Sequence, residues 1–126
     1  MTPGLFALLV VAGGVGASVR YLVDAWIKAR TKGSAFPWST AIINLTGSPA
    51  LGFLTGLVAS HLASTDVSAI VGTGFLGGYT TFSTASYETV QLVREKRYGL
   101  AAAYGVGVLV LSVALAFGGY YWGSHL

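Results

Sequence analysis

The chain has 126 residues, 54% hydrophobic and 9% charged, with a mean hydropathy of +0.71 and a formal charge of +3. A soluble domain carries about 25% charged residues, so this composition describes one all-α integral membrane domain over residues 1–126. It has no cysteine, which excludes disulfides, thiol chemistry and Cys-type metal sites, and its basic residues sit in two short loops instead of on one groove-matching face, which argues against nucleic-acid binding.

A membrane-spanning helix needs about 20 mostly apolar residues. Four segments qualify: 5–26, 38–61, 67–93 and 98–122. The N-terminal stretch has no charged region ahead of its apolar residues, so a cleaved signal peptide is not expected. Aromatic residues mark the span ends as interfacial belts do, with Trp26, Trp38 and Tyr98 on one side and Tyr120, Tyr121 and Trp122 on the other. The connections are short, and four helices are few for a complete translocation path, so oligomerisation is expected.

The first span carries the small-residue pairs Ala12/Gly16 and Gly13/Ala17; the second carries Ser48, Gly52, Gly56 and Ser60. Such ladders let helices approach closely in lipid, within a chain or between chains. Arg20 lies about one turn short of the end of the first span. An intramembrane Arg is a functional candidate by default, the alternative being a side chain that snorkels to the interface. Asp24, closer to that interface, is expected to be solvated.

In the second span, Thr40 and Asn44 share a face one turn apart. The Asn44 amide can offer N–H groups to an anion or make an interhelical hydrogen bond. Pro49 removes a backbone donor and is expected to bend this helix.

The third span contains the run Gly74-Phe75-Leu76-Gly77-Gly78-Tyr79-Thr80-Thr81-Phe82-Ser83-Thr84-Ala85-Ser86. Glycines and a series of hydroxyl residues are poor helix formers, and freed backbone groups within a membrane need partners. The expectation is a third helix broken near its middle, with an ion or substrate site at the break. Glu88 follows; a carboxylate inside a span is either paired or functional. Phe82 reads as packing, except that a phenyl edge is positive and can face an anion. In the fourth span Tyr104 and Ser112 share a face, with apolar Val108 between them. Their hydroxyls can serve an anion or neighbouring carbonyls. His61 and His125 are far apart in sequence, and no catalytic arrangement, P-loop or dinucleotide fingerprint is present, so no enzyme is expected.

These features together resemble the small fluoride channels of the Fluc (CrcB) family. The resemblance is carried by Gly13-Gly14-Val15-Gly16-Ala17-Ser18-Val19-Arg20-Tyr21, by Thr40 through Asn44 with Gly47, and above all by Gly77 through Thr84 followed by Glu88. It implies an antiparallel dimer with passive, fluoride-selective pores that keep cytoplasmic fluoride low. By that resemblance Asn44, Phe82, Thr40, Ser83, Thr84, Tyr104, Ser112 and Glu88 line the fluoride path, and Arg20 attracts anions in a vestibule. The backbone carbonyls of Gly77 and Thr80 would meet their dimer mates around a structural sodium ion (Na+), a hard cation that takes oxygen ligands.

Two positions depart from the family pattern: Ala85 stands where a second Phe is usual, and Val108 where a polar residue is frequent. Apart from Arg20, every Lys and Arg lies in the loops holding Lys28, Arg30 and Lys32, or Arg94, Lys96 and Arg97. The positive-inside rule puts both loops in the cytoplasm and both termini outside, in the inner (plasma) membrane of a cell. An antiparallel homodimer instead calls for balanced loops. One half of a heterodimer with an oppositely oriented paralogue is therefore an alternative to a homodimer, as is a non-conducting accessory subunit. A small multidrug transporter fits less well, because the first span has no acid ahead of Asp24.

Overall fold

A computed structural model describes residues 2–126 as helices and their connections. Helix α1 spans Pro3–Arg30, longer at both ends than its expected span. Thr2 caps it, its Oγ1 accepting from the Leu5 N–H at 3.1 Å, and Pro3 opens it, a position where no N–H is needed. Lys28 and Arg30 lie in the last turn, where they complement the negative helix end. After a turn through Gly33 at φ +85°, α2 runs Trp38–Ala59.

Helix α2 stops short of the expected end at His61, and the reason is local. His61 takes the left-handed conformation (φ 63°), its N–H donating to the Val58 carbonyl while the Leu62 N–H donates to Leu57. That paired pattern closes a helix C-terminus.

The third expected span is not one helix. Its first part, α3, runs from 65 to 79, capped by Ser64 Oγ on the Val67 N–H at 3.1 Å. From Ser68 to Leu76 it is wound as a π-helix. The chain leaves the helix at Thr80, which is extended (φ −80°, ψ 158°), and resumes as α4, Ser83–Arg94. At 12 residues, about 18 Å, α4 is too short to cross a bilayer alone. Helix α4 ends as α2 does, with Lys96 left-handed and the Arg97 N–H returned to Leu92. The last helix, α5 (Tyr98–Ser124), has a π-wound turn at Ala103–Gly107. Helices α1, α2 and α5 are each long and apolar enough to cross a membrane.

Glycine decides which helices touch. On α1, a Cβ on Gly16 would lie 2.0 Å from the Phe75 carbonyl oxygen, and one on Gly78 of α3 would lie 2.2 Å from that of Gly13. The α2 ladder packs on α5 in the same way: Gly52 faces the Ala116 carbonyl, and Ser60 Oγ donates to the Gly123 carbonyl at 3.1 Å. Both ladders thus serve contacts within the chain. Pro49, whose bend was expected, lies in the same seam, its carbonyl against Gly119. The buried apolar cluster is small, formed by Ala41, Leu92, Ala101 and Tyr104, with Phe36 edge-on to Tyr104 at 5.4 Å. Large apolar side chains such as Phe117, Leu22 and Val11 stay exposed, the surface a lipid solvent requires.

Candidate functional site

The break between α3 and α4 organises the site. Asn44 on α2 reaches it and binds the backbone of one residue at two points. Its Nδ2 donates to the Thr81 carbonyl at 2.8 Å, and its Oδ1 accepts the Thr81 N–H at 3.0 Å. That N–H is the donor that would otherwise close the next helical turn on the Gly77 carbonyl. Neighbouring α2 residues hold the same stretch. Thr46 Oγ1 lies 3.0 Å from Tyr79 OH, and Gly47 leaves room for the Thr80 methyl, which a Cβ there would meet at 2.3 Å. Thr81 is buried, and its Oγ1 accepts the Thr84 N–H at 3.2 Å, capping the first turn of α4. The amide of Asn44 thus bonds across to another segment of the bundle, its oxygen already holding one donor.

A cavity of 190 Å³ beside the break brings together Asn44, Thr80, Phe82, Tyr104 and Ser112. Ala85 and Val108, the two departures, line the same cavity. The Ser112 hydroxyl is buried there without a hydrogen-bond partner among the described residues. A buried hydroxyl left unpaired costs roughly 1–3 kcal/mol, so the cavity wall holds an unused polar group. Phe82 is 76% exposed at the rim, its ring free to meet whatever covers the break.

Thr40 and Tyr104 both direct their hydroxyls to Glu88. Thr40 Oγ1 donates to Glu88 Oε1 at 2.6 Å, and Tyr104 OH donates to the same oxygen at 3.0 Å. Glu88 is thus paired with hydroxyls, and no cation lies against it among the described residues. The π-wound turn of α5 carries Tyr104, and such turns often sit at functional positions. Beyond this trio, Glu88 borders a 610 Å³ recess at the loop end, shared with Lys28, Lys32, Gln91 and Arg97.

Arg20 and Thr84 lie elsewhere, in a 250 Å³ cavity on the α1 side that also contains Thr40, Asp24 and Thr81. The sequence candidates therefore fall into separate cavities, with Thr81 bordering two of them. Ser83 is exposed, its Oγ 3.5 Å from Thr81 Oγ1. Asp24 is not simply solvated as expected. It accepts from the buried Ser39 hydroxyl on α2 and pairs with Lys28 at 3.1 Å, which ties α1 to α2.

Sequence reasoning passed over Thr81 itself, because the groups that matter are its backbone N–H and carbonyl, and these have no side-chain signature. The run of helix-breaking residues was the available signal. It also passed over Thr46 and Ser39, which read as ordinary helix residues.

Against known proteins, the family model described as "CrcB-like protein, Camphor Resistance (CrcB)" matches residues 7–120. The chain is 45% identical over 116 residues to "Fluoride-specific ion channel FluC 1" of Leifsonia xyli, covering 92% of this chain and 84% of that relative. It is 46% identical over 124 residues to "Fluoride-specific ion channel FluC 3" of Bifidobacterium longum, covering 93% and 98%. With "Fluoride-specific ion channel FluC" of Agrobacterium fabrum it shares 41% over 121 residues, covering 95% and 96%. These relatives are named as channels, not enzymes. With its spanning helices, the chain is a multi-pass membrane protein.

Proposed function

This chain belongs to the CrcB-like family, and on that premise we propose that it is a subunit of a fluoride-selective channel giving passive fluoride export across the cell membrane. The observation that carries the reading is the 190 Å³ cavity where Asn44, Phe82 and the unpartnered Ser112 hydroxyl meet beside the break. Fluoride is strongly hydrated, so its path must replace water with donors, and a buried hydroxyl with no partner is such a donor. The broken third span supplies the irregular backbone that membranes tolerate only against protein or a polar cavity.

In this reading the subunit works as an antiparallel dimer, as its resemblance to the family implies, and the exposure of Phe82 at the cavity rim supports a second chain covering it. Arg20 draws anions into the α1-side cavity, where Thr84 also lies, and Ser83 stands beside Thr81 of its lining. Glu88, with Thr40 and Tyr104, forms the opposite end of the path. The chain's donor set fits a structural sodium ion. The Thr81 N–H is engaged with Asn44 and not with Gly77, and Thr80 is extended, so carbonyl oxygens of Gly77 and Thr80 are released at the helix end. Bound there, the ion would supply positive charge that holds two such helix ends together. Fluoride efflux from liposomes containing the purified chain, recorded beside chloride efflux, tests the channel reading: rapid fluoride-only efflux is expected, equal efflux of both ions refutes it, and no efflux of either ion refutes a conducting homodimer.

A second reading is favoured by the charge placement and by Ala85 and Val108 in the cavity wall. In it, the chain inserts one way, basic loops cytoplasmic, and pairs with an inverted paralogue, one pore being degenerate. Single cysteines placed at Ser34 and Ala63 of this cysteine-free chain would report orientation by labelling in intact cells. Labelling from opposite sides in one orientation supports this reading, and equal labelling of each from both sides refutes it.

A further inference from the structure

The Asn44 amide has three groups to place: one oxygen and two N–H bonds. The Thr81 backbone takes two of them, the oxygen at 3.0 Å and one N–H at 2.8 Å. Because both bonds run to one residue, the N–H used is the one on the same side of the amide as its oxygen. The N–H that remains is the one anti to the oxygen. An amide turned over by 180° would set its oxygen against the Thr81 carbonyl and its NH₂ against the Thr81 N–H, two repulsive contacts in place of two hydrogen bonds. Asn44 lines the 190 Å³ cavity, and the N–H it has left points away from its oxygen, which is turned to the Thr81 N–H.

Given the fluoride path read for this cavity, we infer that the Thr81 backbone is the positioning group that sets the direction of the Asn44 amide, so that the path meets its free N–H and the oxygen is turned away to the Thr81 N–H. An unlocked asparagine presents an acceptor as readily as a donor, and an acceptor repels an anion. The lock also works in the other direction. Asn44 draws the Thr81 N–H out of the α3 ladder and so maintains the break, and Thr81 Oγ1 then starts α4 by capping the Thr84 N–H. Anion selectivity at Asn44 and the shape of the break are thus one device, with the Thr81 backbone as its hinge point.

The test uses the full chain, ¹⁵N-labelled and reconstituted in nanodiscs, titrated with sodium fluoride and separately with sodium chloride. One of the two Asn44 Nδ2 protons should shift with fluoride and not with chloride, while its twin stays in place. Both protons shifting alike, or neither shifting in a protein that conducts fluoride, overturns the inference. Replacing the Thr81 backbone N–H by an ester oxygen removes the lock without changing any side chain. Fluoride efflux should then fall about tenfold, the equivalent of one hydrogen bond to a charged ion, with the dimer still intact by gel filtration. Wild-type efflux from that variant overturns the inference. If the ester variant does not fold, hydrogen exchange at the Thr81 amide decides the matter. Protection should be lost in Asn44→Ala, and retained protection overturns the lock. The exchange result stands even if the unmodified chain carries no fluoride, so failure of the channel reading and failure of the lock are distinguishable.

Discussion

The Tyr104 hydroxyl donates to Oε1 of Glu88 at 3.0 Å, joining α5 to α4 at a carboxylate that no cation neutralises among the described residues. Hydrogen bonds to a charged group contribute about 1.5–3 kcal/mol, and a charged acceptor left short of donors costs more. Tyr104→Phe should therefore lower stability by about 2 kcal/mol, read as a lower thermal midpoint in detergent. In a Glu88→Gln background the same change should cost much less. Effects that add to within about 0.5 kcal/mol would show that the two residues are not energetically coupled.

Ser112 offers the opposite case. Its buried hydroxyl has no partner among the described residues, so Ser112→Ala removes an unpaired polar group and should leave the thermal midpoint unchanged or slightly raised. On the proposed channel reading, fluoride efflux should nevertheless drop by about tenfold, because one donor would leave the path. A variant that loses stability but conducts normally would assign Ser112 to the fold instead of the ion.

Two neighbouring glycines on α1 separate close packing from helix propensity. A Cβ on Gly16 would lie 2.0 Å from the Phe75 carbonyl oxygen, whereas Gly14 has nothing within 4 Å. Gly16→Ala should push α1 off α3 and cost more than about 3 kcal/mol, seen as loss of monodisperse protein on gel filtration. Gly14→Ala should be neutral, or stabilising by up to about 1 kcal/mol through helix propensity. Similar yields for the two variants would contradict the contact.

Ala85 lines the 190 Å³ cavity beside Phe82 and Val108. Ala85→Phe places a ring in existing space and should be tolerated, with a thermal midpoint within a few degrees of the parent. If the vacant ring limits conduction, fluoride efflux in liposomes should rise at the same protein density. Unfolding of the variant would mean that the cavity cannot take a ring.

Composition and hydropathy were enough to read a helical membrane protein and three of the four expected spans, because a lipid solvent leaves the chain few alternatives to helix. The run from Gly74 to Ser86 marked where helix propensity fails, and the charge placement in the loops was legible without any fold. The partner of each polar group was not. Asn44 could equally have faced an anion or another helix, Asp24 read as solvated, and Glu88 had no visible partner. The tertiary structure decided these by bringing α2 to the break. Along that helix Asn44 meets the Thr81 backbone at the break, Ser39 meets Asp24 of α1, and Thr40 meets Glu88 of α4, across separations of 37, 15 and 48 residues. Hydropathy is a local sum over neighbouring residues, so it could locate the helices. A hydrogen bond needs two groups within about 3 Å of each other, and only the packing of helices through their glycines sets that distance.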